Sequence, residues 1–362
     1  MIVIADDITG AAEIAGMAFA AGQQVRLLCG CPVDGDIVAD HGTVVIATDT
    51  RSMEEHEAVA ETCRIASAIS RQSSAVFKKT DSALRGHVVA ELAALMHTVG
   101  YQRSVYLPAN PSKGRIVRNG IYYIHHTPIH ETDFRFDPEY PATTSVLQER
   151  FPDATDKEII MPDATSIDGI CHMIEDYADG NTLFAGAADL FQQLLIKNGA
   201  FVQQEIGRKG DVNSFKKHAD MIILCGSTQS TVLETGIPVA PMSRENYDGS
   251  SNIDLWNTSA YSDCHRIILS IPFHHRTGKD TAVHLRNLMA QKTKMLVEQH
   301  CPTHLIIEGG ATAWATLQTL GWTEFEIVAQ LAPGVVQMRA ANGTLVTLKP
   351  GSYPWGSSLF GH

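Results

Sequence analysis

No apolar run among the 362 residues approaches the roughly 18 that a membrane-crossing helix needs, so no membrane partner is expected. A signal-peptide pattern is also missing: Met1 leads at once into Ile2-Val3-Ile4-Ala5 and two aspartates, and the expected location is the cytoplasm. Excess basic charge is lacking. A formal charge of −12 argues against broad binding of nucleic acid, which needs a basic face to neutralise phosphates. It leaves room for a small anion held by a local cluster of Lys, Arg and backbone N–H groups. The seven cysteines (Cys29, Cys31, Cys63, Cys171, Cys225, Cys264, Cys301) are odd in number and scattered, with no C-x-x-C pair. Reduced, buried thiols are expected rather than a disulfide framework. Two nucleotide signatures are absent as well. A Walker loop ending at Gly278-Lys279 would need glycine at 273 and Ser or Thr at 280, where Phe273 and Asp280 stand. No G-x-G-x-x-G occurs, and there is neither an internal repeat nor a low-complexity tract.

What is present is a globular composition, 44% hydrophobic and 19% charged, in a chain long enough for two domains. Short β-branched runs at Ile2–Ala5, Val25–Cys29, Val44–Ala47, Ala75–Lys78 and Ser104–Leu107 read as strands. Between them Ala11–Ala21, Glu54–Ile69 and Val88–Thr98 read as helices. This alternation predicts a largely parallel sheet with helices on both faces. Residues 108–145, rich in Pro, Gly, His and Tyr, read as long ordered loops, which in a compact domain are usually functional. Helical pattern returns at Ile167–Tyr177 and Ala187–Lys197. A second series follows, with strands at Met221–Cys225, Arg266–Ile271 and Leu305–Glu308 and helices over Asp280–His300 and Thr312–Leu320. The polar segment 205–217 suits a linker, giving domains 1–213 and 218–362.

Chemistry concentrates at the predicted strand ends, where ligands of open α/β sheets bind. The first strand runs into Asp6-Asp7-Ile8-Thr9-Gly10 and a helix. Two adjacent carboxylates there can take substrate hydroxyls, a magnesium ion or a proton; the bland alternative is a helix cap beside a solvated aspartate. An aspartyl-phosphate phosphatase would need its second aspartate two positions after the first, where Ile8 stands. The fourth strand leads into Lys78-Lys79-Thr80-Asp81-Ser82-Ala83-Leu84-Arg85-Gly86. Arg85 or Lys79 can hold a carboxylate, Ser82 a hydroxyl, and Asp81 can serve as a general base. Asp49 and Arg51 offer the same mixture after the third strand. Pro108–Arg115 adds Arg115 and Asn110, and Asp137 before Pro138 is expected to fix its loop. A single charged loop is usually solvated surface; three at successive strand ends point to a site.

In the second half, Gly226-Ser227-Thr228-Gln229-Ser230-Thr231 and Glu308-Gly309-Gly310-Ala311-Thr312 follow strands. Paired glycines before a helix let backbone approach an anion, phosphate above all, although each loop alone is also an ordinary turn. Lys349 with Gly351 can close over phosphates as a point charge, or simply form a terminal turn. The cluster His125-His126-Thr127-Pro128-Ile129-His130 matches no zinc spacing, so loop packing is expected there and no metal ligand is assigned.

Taken in order, ADDITGAAEIA (5–15), TDTRS (48–52), KKTDSALRG (78–86), PANPSKGR (108–115), DPEYP (137–141), GSTQST (226–231), EGGATA (308–313), PG (333–334) and LKPGSY (348–353) resemble the four-carbon acid sugar kinases. The resemblance implies two α/β domains with largely parallel sheets and an active site in the interdomain cleft. The first would be a sugar-acid-binding domain and the second a nucleotide-binding domain. It implies phosphorylation of acids such as threonate or erythronate with ATP and Mg2+, the acid and the nucleotide being the partners; a homodimer is left open. Carried onto this chain, Asp6, Asp7, Thr9, Asp49, Arg51, Lys79, Asp81, Ser82, Arg85, Gly86, Asn110 and Arg115 would surround the acid. Asp81, Asp7 and Arg85 would be the catalytic groups. Ser227, Ser230, Gly309, Gly310, Ala311, Thr312, Lys349 and Gly351 would contact the nucleotide. The chain departs from the family's pattern at Ala83, at Ala311, where Asp is usual, and at Ser352-Tyr353-Pro354-Trp355-Gly356. Two readings from other classes stay beside the kinase: a sugar-acid sensor without catalysis, and a phosphatase or isomerase acting on a phosphorylated acid.

Overall fold

The computed structural model describes residues 1–30, 37–39, 42–69, 75–137, 139–199, 220–226, 236–273, 275 and 278–351. The chain divides into two compact units, Met1–Val202 and Gln203–His362. The expected linker 205–217 lies outside the described residues, as do Cys31, Pro138, Ser227, Ser230, His274 and the run 352–356.

In the first unit the elements follow as β1 (Ile2–Ala5), α1 (Ile8–Ala20), β2 (Val25–Cys29), β3 (Thr43–Ala47), α2 (Glu55–Ser67), β4 (Val76–Lys79), α3 (Val88–Val99) and β5 (Arg103–Leu107). After them come β6 (Arg115–Arg118), β7 (Ile121–Ile124), β8 (Thr127–Pro128), α4 (Leu147–Arg150), β9 (Ile159–Ile160), α5 (Ile167–Tyr177), β10 (Thr182–Gly186) and α6 (Ala188–Lys197). The main sheet runs β2-β3-β1-β4-β10-β5-β9, every neighbour parallel. Strand β1 is buried at all four positions, as expected of a strand covered on both faces. Helices cover both sides of β4, because successive strand residues point opposite ways: Lys78 meets Glu91 on α3, and Lys79 meets Glu13 on α1. Strand β10 inserts between β4 and β5, and the sequence reading had no strand there. Its Gly186 is needed, since a Cβ would lie 2.0 Å from the Leu107 carbonyl oxygen.

Residues 108–145 also differ from the expected loops. They build a small antiparallel sheet, β6-β7-β8, and several short 3-10 turns. His125 and His126 occupy the tight turn between β7 and β8, both with positive φ (47° and 71°), and His130 pairs with Ser145 Oγ at 2.6 Å. Two of the cluster's three histidines thus sit in a turn, and the third is bonded to Ser145.

The second unit contains β11 (Met221–Cys225), β12 (Val239–Pro241), α7 (Arg244–Tyr247), α8 (Ala260–Cys264), β13 (Arg266–Ser270), α9 (Lys279–His300), β14 (His304–Glu308), α10 (Gly310–Leu320), β15 (Glu324–Ala332), β16 (Val335–Ala340) and β17 (Leu345–Lys349). Its strands are ordered β12-β13-β11-β14-β17-β16-β15. The first five are parallel; β17, β16 and β15 pair antiparallel, three strands absent from the sequence reading. The α/β class with largely parallel sheets holds in both units. Among the described residues no helix is long and apolar enough to cross a membrane.

Candidate functional site

Register decides which loops meet. Ala5 pairs with Ala47 and with Lys79, so β1, β3 and β4 end level and release Asp6, Thr48 and Thr80 at one edge. Gly186 pairs with Lys79 and with Leu107, bringing β10 and β5 to the same edge. The three polar clusters read from the sequence therefore do form one rim.

Arg51 is its hub. Its Nε and Nη2 each donate to Asp6 at 2.9 Å, Nη2 also reaches Asp7 at 3.1 Å, and Nη1 lies 3.7 Å from Asp81. Asp81 is gripped a second time, by Arg85 Nε at 2.8 Å and Nη2 at 3.0 Å, and it accepts the Ala83 N–H at 2.9 Å. Arg85 Nη1 continues to Asp137 at 3.3 Å. Asp137 also accepts the N–H groups of Glu139 and Tyr140, so it does fix its loop. Asp7 caps α1, accepting the Gly10 N–H at 2.9 Å and the Thr9 hydroxyl. Lys79 donates to the Thr80 carbonyl at 2.9 Å and sits 3.7 Å from Glu13, to which Lys113 is also bonded.

Burial and neighbours sort the carboxylates. Burial pushes Asp6 up to about 6 even though Arg51 opposes it, and Asp7 and Asp81 add repulsion. At Asp7 burial also acts upward, but Arg51, Thr9, Lys79 and Gly10 outweigh it and hold the group below the usual carboxylate range. Burial is likewise overcome at Asp81, where Arg51 and Arg85 hold the carboxylate well below its ordinary value. The rim thus keeps two firmly ionised acceptors beside one carboxyl that titrates closer to neutrality.

Other expected residues serve by placement. Asn110 is buried, with its side-chain oxygen on the Asp189 N–H at 3.0 Å and its backbone paired to Arg115. Ser82 accepts from Arg115, and its carbonyl accepts the Tyr122 hydroxyl at 2.5 Å. Asp49 opens the turn carrying Arg51 and accepts the Ser52 hydroxyl at 2.7 Å. A Cβ on Gly86 would sit 3.6 Å from Asp6 Oδ2, so Gly86 abuts the same cluster.

Several rim residues were not found from the sequence. Phe134 lies under both Arg85 and Arg115, 6.0 and 5.7 Å from ring centroid to guanidinium carbon. The Tyr140 hydroxyl donates to the Arg51 carbonyl at 2.7 Å. Behind the rim, Glu91 is fully buried with Lys78 and accepts from Thr50 at 2.9 Å and Thr62 at 3.2 Å. That network braces the turn from which Arg51 extends. Only the Lys78-Lys79 pair hinted at it.

In the second unit Cys225 pairs with Ser270 and with Glu308, and Glu308 with Lys349. Gly226, Gly309 and Pro350 therefore leave the parallel strands at one edge. Gly309 (φ 98°) leads into α10, whose first residues Gly310, Ala311 and Thr312 carry the helix-start N–H groups, with no side-chain cap. Gly226 packs directly on this start: a Cβ there would fall 2.2 Å from Thr312 Oγ1. Lys349 stands elsewhere than expected. Its ammonium is buried against Glu308 at 2.5 Å and donates to the Pro350 and Gly351 carbonyls at 3.0 and 3.4 Å. It braces β14 to β17 beneath the glycine turn and is not an open point charge.

The open α10 start, approached closely by backbone, fits the phosphates of a nucleotide. Among the described residues no group of three or more His, Cys, Asp or Glu is arranged to hold a metal.

A family described as a sugar-binding N-terminal domain matches residues 1–205, and one described as a nucleotide-binding C-terminal domain matches residues 255–353. A 3-oxo-tetronate kinase of Brucella melitensis is 25% identical over 97% of this chain and 92% of its own. A D-threonate kinase of Salmonella typhimurium is 31% identical over 41% of this chain and 35% of its own. A crystal structure of a Haemophilus influenzae protein superposes with a TM-score of 0.73 at 20% identity, covering 99% of this chain and 98% of that one, a likeness of fold.

Proposed function

The chain belongs to the family that joins a sugar-binding N-terminal domain to a nucleotide-binding C-terminal domain, and from that premise we propose that it phosphorylates a hydroxyl of a four-carbon sugar acid with ATP. The observation that carries the reading is the Arg51 cluster: three carboxylates from two strand ends, held ionised or nearly so around one guanidinium. A polyhydroxy acid needs such a mixture of oriented acceptors for its hydroxyls and cations for its carboxylate.

In this reading Asp81 and Asp7 accept hydrogen bonds from the acid's hydroxyls, and one of them takes the proton of the attacking oxygen. Low basicity is no obstacle. The transition state of phosphoryl transfer is loose, so positioning and charge stabilisation outweigh base strength. Arg85 fixes Asp81. The Gly309–Thr312 turn receives the phosphates on the N–H groups of α10. Magnesium, when bound with the nucleotide, neutralises charge on those phosphates. The new O–P bond forms as the bond from the γ-phosphorus to the β-bridging oxygen breaks, and ADP leaves. The acid and the nucleotide must therefore bind together. A cytoplasmic location belongs to the same reading.

The test is ADP release from the purified chain with ATP, magnesium and a panel of tetronic acids; acid-dependent release is expected. Acids that raise the melting temperature without any ADP release, ATP having no effect, would turn the assignment to a sensor. Phosphate release from a phosphorylated acid without ATP would turn it to a phosphatase.

A further inference from the structure

Most cations of the first unit's rim are already committed. Arg51 serves Asp6, Asp7 and Asp81; Arg85 serves Asp81 and Asp137; Lys79 and Lys113 share Glu13. Arg115 is different. It donates to the Ser82 hydroxyl and stacks on Phe134, and among the described residues no carboxylate lies within salt-bridge distance of it. Its backbone is anchored, with N–H to the Asn110 carbonyl at 3.1 Å and carbonyl to the Asn110 N–H at 2.8 Å. Asn110 is in turn locked by its side chain to Asp189. The result is a guanidinium at a strand start, oriented by the hydroxyl of Ser82, the residue after Asp81, and by the aromatic ring of Phe134.

We infer that Arg115 is the residue that grips the carboxylate of the substrate, and that it makes the site select acids over neutral polyols. The inference rests on the proposed reading only in taking a sugar acid as the ligand. Arg51 and Arg85 already divide their donors among Asp6, Asp7, Asp81 and Asp137, so a further carboxylate there would have to share or displace these partners. Arg115 needs no such exchange, and a planar fork suits a carboxylate. Arg150 is the rival. It too has no carboxylate partner among the described residues, donates to the Leu84 carbonyl at 3.3 Å, and lines a neighbouring pocket of about 280 Å³ with His87 and Tyr140. Arg150 reaches the loop after Asp81 only at the Leu84 backbone carbonyl, whereas Arg115 bonds the side chain of Ser82, the residue next to Asp81 in the chain.

The experiment is calorimetric binding of sodium threonate, sodium erythronate and the corresponding neutral amides to the full chain, without nucleotide. Arg115→Gln should weaken the acids by roughly 10- to 100-fold, as for a lost charge-assisted contact, while amide affinity stays within about threefold. Arg115→Lys, which keeps the charge without the fork, should fall between, and supplies the reading if the Gln variant misfolds. Arg150→Gln should leave the acid preference intact. The inference is overturned if the wild-type chain binds no acid, if Arg115→Gln loses acid and amide alike or neither, or if the preference disappears in Arg150→Gln. Acid binding that follows this pattern without acid-dependent ADP release would sink the kinase reading and leave the carboxylate grip standing.

Discussion

Asp6→Asn isolates the one rim carboxyl that burial pushes upward. In the wild-type chain Asp6 is 2% exposed and shifted from 3.8 to about 6. A group whose folded value lies above its unfolded value favours the fold below the unfolded value, and that contribution is lost as pH rises through the folded one. Between pH 4 and pH 7 Asp6 should therefore remove roughly 2–2.5 kcal/mol of stability, at about 1.4 kcal/mol per tenfold change in proton affinity. Asp7 and Asp81 are held below the usual range and are already ionised across this window, so they do not mask the effect. The assay is urea denaturation of both chains at several pH values from 4 to 7.5. Relative to wild type, Asp6→Asn should gain on the order of 2 kcal/mol as pH rises, whatever its absolute stability at pH 4. Parallel pH profiles for the two chains would refute the argument, because they would mean that Asp6 titrates alike in the folded and unfolded states.

Breaking the buried pair behind the rim should be expensive one side at a time. Glu91→Leu alone should destabilise by about 3–5 kcal/mol by leaving Lys78 charged and buried, and the double variant Lys78→Met/Glu91→Leu should recover most of it in the same denaturation assay. In the second unit, Gly226→Ala drives a methyl group into Thr312 and should cost about 1–3 kcal/mol with a loss of ADP binding by calorimetry. Unchanged ADP affinity in that variant would separate the Gly226 turn from the nucleotide site.

The rim was legible because its causes are local. Strands β1 and β3 are almost wholly apolar and β4 opens with Val76-Phe77 before its two lysines; each ends in a polar loop, and parallel order then sets the loops side by side. What the sequence could not display was pairing across distance. Nothing near Lys78 announces that Glu91, on a later helix, makes its burial tolerable. Lys349 reads as an open cation until Glu308, 41 residues earlier, is seen against it. Strand β10, with the sequence TLFAG, is too short and too small-sided to stand out between two strong helices. The three-stranded sheet within 108–145 does carry a local sequence signal. Asn119-Gly120, both with positive φ, is a tight hairpin turn between strands β6 and β7. Pro333-Gly334 and Asn342-Gly343 similarly punctuate β15, β16 and β17.

The most direct test of the central claim is to follow ATP, magnesium and threonate or erythronate by phosphorus NMR, with the wild-type chain and with Asp81→Asn. The account predicts a new phosphate-monoester signal on the acid, matched by ADP, and a rate slowed by roughly 10²-fold or more in the variant. ATP left intact beside every acid offered, or a product formed equally fast without the Asp81 carboxylate, would contradict it.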